Sequence, residues 1–139
     1  MSTESVYQRV GGEAFFVDLV NRFYDGVESE PLLRPLYPAD LAGPRRHLAL
    51  FLAQYWGGPP AYNEERGHPR LRMRHAPFAI GPRERDAWLR LMLQAVDGSP
   101  ASDADKAALR TYFSTAATSL INQFPEPGTP GASSLGVIN

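Results

Sequence analysis

The sequence predicts an all-α fold. Apolar residues recur at spacings of three and four over several long stretches, which is the period of a helix face. No stretch alternates with the period of two that a half-buried strand requires. Glycine and proline clusters fall between the periodic stretches rather than inside them. The 139 residues are enough for one domain with a real core.

The elements follow in order. Ser2 or Thr3 is placed to cap a short first helix through Tyr7 and Val10, broken by Gly11-Gly12. From Glu13 to Glu28, Phe16, Leu19, Val20, Phe23, Tyr24 and Val27 share one face of a second helix. Pro31, Pro35 and Pro38 mark a turn-rich connector. A third helix runs from about Pro44 to Trp56, with Pro44 tolerated in its first turn and Leu48, Phe51, Leu52 and Tyr55 as its stripe. Gly57-Gly58-Pro59-Pro60 ends it. Residues 59–82, rich in proline and glycine, read as a long loop with a short helical piece near 70–76. The fourth helix spans about Arg83 to Val96, with Trp88, Leu91, Met92 and Ala95 on one face. Ser102 and Asp105 resemble a capping box, opening a last helix from 103 to about 123 with Leu109, Tyr112, Phe113, Ala116, Ala117, Leu120 and Ile121 along its stripe. The expected domain is 1–124. Residues 125–139, rich in Pro, Gly and Ser, are expected to be a disordered tail. Four main helices pack on one another, with an extended ordered segment in the middle.

Composition excludes several chemistries. With no cysteine there is no disulfide, thiolate zinc site, iron–sulfur cluster or thioether-attached haem. That fits a cytoplasmic protein. No apolar run approaches the ~20 residues of a membrane helix, and no leader pattern opens the chain. A formal net charge of -1 gives no global field to draw it onto nucleic acid or an anionic membrane. Charge is uneven, however. Of the 14 basic residues, seven lie between Arg66 and Arg90, against only Glu84 and Asp86. Such a patch suits a small anionic partner; it equally reads as a solvated loop.

The chemistry-bearing candidates are few. His47, His68 and His75 form no pair at zinc-site spacing; there is no HExxH, GxSxG elbow or phosphate-binding glycine loop. A single histidine still suffices where a macrocycle supplies the other ligands, because haem iron needs one axial imidazole. His75 lies between a short helical segment and Ala76-Pro77, where the backbone must turn away. Spacing alone leaves it open between iron ligand and ordinary core or surface residue. Tyr24, Tyr37 and Trp88 carry the O–H and N–H groups a polar gas ligand would need; each also reads as a core aromatic anchored by one hydrogen bond.

At these residues the chain resembles the truncated haemoglobins, specifically their group II branch. The matching runs are VGG at 10–12, RFYDGV at 22–27, PLLRPLYPADL at 31–41, the long run from Phe51 to Phe78, and ERDAWLRLM at 84–92. The resemblance covers about residues 5–124. It implies a two-over-two helical sandwich holding haem b non-covalently, with His75 as proximal ligand and Tyr24, Tyr37 and Trp88 on the distal side. Leu48, Phe51, Leu52, Leu71, Phe78 and Ile80 are expected as apolar haem contacts. His47 and Arg74 are expected to meet the propionates, with Arg72 and Tyr62 behind them. Gly43-Pro44-Arg45 offers no polar gate residue.

The implied function is reversible binding of oxygen, carbon monoxide or nitric oxide at ferrous iron, with tight retention by the Tyr/Trp donors. The expected partners are the gas and an unspecified reductase, the protein being a monomer or weak homodimer. The same haem would serve a redox enzyme, peroxidase-like or nitric oxide dioxygenase-like, although the sequence shows no distal His/Arg pair for acid–base work on peroxide. A cofactor-free helical partner module, using the arginines of 66–90, is the third reading.

Overall fold

The computed structural model describes residues 4–67 and 80–119. Among them are α1 (Val6–Val10), α2 (Glu13–Val27), a 3-10 turn (Arg34–Leu36), α3 (Ala42–Tyr55), α4 (Ala61–Arg66), α5 (Pro82–Asp97) and α6 (Asp103–Ser119), and no strand. The segment near 70–76, the last helix beyond 119 and the tail 125–139 lie outside the described residues. α2 pairs with α3, α5 pairs with α6, and α2 packs on α5 across the gap. This is a two-over-two helical sandwich.

α2 is the centre of the core. Phe16, Leu19, Val20, Phe23 and Val27 are fully buried along its predicted face, each contributing about 1.5–3 kcal/mol by leaving water. α1, with five residues, is too short to hold itself. It is fixed from outside. The Tyr7 amide donates to the Trp56 carbonyl at 3.0 Å, and Arg9 forks onto Asp105 of α6 at 3.0–3.3 Å. A close approach at the α3–α4 corner makes room for it: a Cβ on Gly57 would stand 2.4 Å from that of Ser5, and one on Gly58 2.6 Å from the Tyr7 ring.

Four expectations are corrected. The first cap is Ser5, not Ser2 or Thr3, because Ser5 and Gln8 form a reciprocal box: the Gln8 amide donates to Ser5 Oγ at 3.2 Å, and the Ser5 amide to Gln8 Oε1 at 3.0 Å. The expected loop of 59–82 contains a helix, α4, which follows Pro59-Pro60 directly. Tyr55 ends the α3 stripe but is 54% exposed, since it lies past the part of α3 that faces the core. Finally, Asp105 does not close a box with Ser102. Its amide donates to Ser102 Oγ at 3.2 Å, but its carboxylate is taken by Arg9.

Candidate functional site

Three separate stretches of chain deliver the aromatic donors. Tyr24 stands on the core face of α2, 4% exposed. Tyr37 follows the 3-10 turn, held by a device that sequence did not reveal. The Arg34 guanidinium collects the carbonyls of Tyr37, Pro38 and Ala39 at 3.3, 3.0 and 2.9 Å. Asp40 Oδ1 then accepts the Ala42 amide at 2.9 Å and starts α3. Trp88 lies on α5, whose first turn Glu84 caps by accepting the Gly81 amide at 2.9 Å.

The rings interlock. Phe23 meets Tyr24 at 4.9 Å and Trp88 at 5.3 Å between centroids, both edge-to-face. Burial pushes the Tyr24 phenol well above the ordinary tyrosine range, with Tyr37 adding to the shift. Burial also pushes Tyr37 up to about 12, while hydrogen bonding with Trp88 and Tyr24 pulls it the other way. Phenols are protonated at neutral pH in any case; burial extends this, so both remain donors well into the alkaline range.

These residues line one cavity of about 320 Å³. Every sequence-named candidate among the described residues stands in its wall: Tyr24, Tyr37 and Trp88; His47, Leu48, Phe51 and Leu52 of α3; Tyr62 of α4; and Ile80. His75, Leu71, Arg72, Arg74 and Phe78 lie outside the described residues. The lining is polar in places, with Glu84 and Arg85 of α5 and the pair His47 and Arg66 in the wall. Arg66 Nη1 approaches His47 Nδ1 at 3.2 Å and Nε2 at 3.3 Å, and Glu65 Oε2 is 3.6 Å from His47 Nε2. His47 of α3 and Arg66 of α4 thus meet in the cavity wall, a contact that exists only once both helices have folded.

Sequence reasoning passed over other wall residues. Leu33 and Leu36 come from the connector, and Pro44 from α3. Tyr112, Phe113, Ala116 and Ala117 of α6 were legible as an apolar stripe, but a stripe does not say whether it faces core or cavity. Burial, then Tyr55, pushes Tyr112 up to about 12.

The donor set fits haem: apolar walls from Leu48, Phe51, Leu52, Ile80 and Phe113, protonated phenols inside, and a histidine–arginine pair able to meet carboxylates. Among the described residues no group of three or more His, Cys, Asp or Glu is placed to hold a metal ion directly. No described helix is long and apolar enough to cross a membrane.

Comparison with known proteins agrees with this geometry. The bacterial-like globin family model matches residues 5–122. The group 2 truncated hemoglobin YjbI of Bacillus subtilis is 48% identical over 96 residues, 69% of this chain and 72% of that protein. The crystal structure of a hemoglobin from Chloroflexus aurantiacus superposes with a TM-score of 0.85 at 51% identity, over 86% of this chain and 99% of the other. The group II truncated hemoglobin of Bacillus anthracis gives 0.86 at 37% identity, over 92% and 98%.

Proposed function

The chain belongs to the bacterial-like globin family, and we propose that it binds diatomic gases reversibly and retains them through hydrogen bonds from Tyr24, Tyr37 and Trp88. Haem b is its prosthetic group, as in the globins it matches. When bound, haem supplies a ferrous iron at which oxygen, carbon monoxide or nitric oxide coordinates. The observation that carries the reading is the trio itself: two phenols and an indole, all hydrogen-bond donors, in the wall of one largely apolar cavity.

The protein's contribution follows from those groups. A polarised diatomic ligand accepts hydrogen bonds, and the apolar walls exclude the water that would compete for them. One hydrogen bond contributes about 1 kcal/mol net, so three slow escape by about a hundredfold. Such retention suits sensing or redox use better than bulk delivery. His75 is assigned as the protein ligand of the iron, on the resemblance of the run from Phe51 to Phe78. His47 and Arg66, with Arg72 and Arg74, are assigned to the propionates.

The test is the visible spectrum. Purified protein should be red, with a Soret band that moves when carbon monoxide is added to the reduced form. A colourless protein that takes up no haem overturns the reading.

One second reading is a peroxidase-like use of the same haem, in which the adjoining His47 imidazole and Arg66 guanidinium would face peroxide instead of the propionates and do its acid–base work. Peroxide-driven oxidation of a small phenol, compared between native protein and His47→Ala, separates the two. Activity no greater than that of free haem rejects the enzyme reading.

A further inference from the structure

Arg45 stands beside the cavity without lining it. It belongs to α3, between Pro44 and His47, which do line the cavity. Its side chain turns the other way, onto α2, and is 23% exposed. Nη1 donates to the Asn21 carbonyl at 3.3 Å and to Asn21 Oδ1 at 3.0 Å. Nη2 donates to Asp25 Oδ1 at 3.1 Å and to Glu28 Oε2 at 3.4 Å. Asn21, Asp25 and Glu28 are spaced by four and three, so the guanidinium lies along one stripe of α2. Tyr24 lies beside that stripe, and Arg45 Cζ is 5.7 Å from its ring centroid.

The ion pairs alone do not explain this placement. Asp25 is 72% exposed and Glu28 56%, and pairs that open to water contribute little. The contacts sheltered from water are the ones to Asn21 and to the face of Tyr24. A cation over a phenol ring polarises it and makes its hydroxyl a better donor. Consistently, the charge of Arg45 opposes the upward push that burial gives the Tyr24 phenol.

We propose that Arg45 is the positioning residue for Tyr24: its fork pins α2 to α3, and its charge over the ring sets the strength of the hydrogen bond that Tyr24 offers a ligand in the cavity. This rests on the haem reading above and goes beyond it, because Arg45 does not line the cavity and would act only through Tyr24.

A double-mutant cycle on the haem-loaded protein tests it. The readouts are the infrared stretch of bound carbon monoxide, which reports the local field, and the oxygen dissociation rate. Arg45→Gln should raise the stretching frequency and speed dissociation about two- to fivefold, the equivalent of a cation–π contact of roughly 0.5–1 kcal/mol. In a Tyr24→Phe background the same substitution should change neither. If Arg45→Gln weakens haem retention, Arg45→Lys gives a smaller change of the same sign, again absent beside Tyr24→Phe. An effect of equal size in both backgrounds, or none in either, overturns the proposal. Failure of the underlying reading shows separately: no Soret band in native protein, or a Tyr24→Phe variant indistinguishable from native, and the proposal falls with it.

Discussion

The Tyr24 and Tyr37 rings meet edge-to-face, 5.4 Å between centroids and 85° between planes. One ring rides on a fifteen-residue helix and the other on a proline-rich connector. Hydrogen bonding joins the two phenols, and Tyr37 also meets Trp88, so a change to one is felt by the others.

Trp88→Phe keeps an aromatic ring but removes the N–H together with part of the indole. Oxygen dissociation should then accelerate by more than about tenfold, a loss of roughly 1.4 kcal/mol or more. Stopped-flow displacement by carbon monoxide measures it. An unchanged rate would assign Trp88 to packing against Phe23 and Phe113.

His75→Ala should abolish the five-coordinate ferrous spectrum and leave weakly held haem. Adding imidazole to the variant should restore the spectrum, because the missing donor is a single neutral nitrogen. A native-like spectrum without imidazole would move the iron ligand elsewhere.

The phenols set an alkaline limit. Tyr37 and Tyr112 are held at about 12 and Tyr24 is raised further, against about 10 in an unfolded chain. Between those values the folded state binds more protons than the unfolded one, so stability falls as pH rises. The contribution is fully present below about pH 10 and is lost as pH climbs through 12. Ligand retention should be level across neutral pH. Phenolate absorbance from these three groups should appear with loss of helical dichroism. Its appearance well before that loss would contradict the burial argument.

Gly57→Ala and Gly67→Ala separate backbone strain from crowding. Both residues have positive φ, 112° and 77°, but among the described residues Gly57 faces Ser5 at 2.4 Å while Gly67 meets none within 4 Å. Gly67→Ala should cost about 1–3 kcal/mol from the backbone, because φ 77° with ψ -163° is a region that glycine almost alone adopts. Gly57→Ala should cost at least about 1 kcal/mol more, since crowding adds to strain. Urea unfolding gives both values. Equal costs would mean that α1 leaves its seat freely.

Most of the frame was legible because α2, α3, α5 and α6 each repeat apolar residues over three or more turns. Tyr24 and Trp88 fall on those repeats, and the quoted runs of the resemblance include Tyr37. α4 was not legible: six residues directly after Pro59-Pro60 show no period, and its Tyr62 contacts Phe51 only in the folded chain. The His47–Arg66 pair joins residues nineteen apart on different helices, a distance over which local pattern says nothing. Arg34 was equally silent, because its three acceptors are backbone carbonyls, which carry no sequence signature.

The cavity wall draws on α2, the connector, α3, α4, α5 and α6, almost the full span of the described chain. No early fragment of the polypeptide contains a usable pocket, however helical it has become. Pocket formation should therefore come late in refolding, with prosthetic-group uptake a clock for completion rather than a seed for the start.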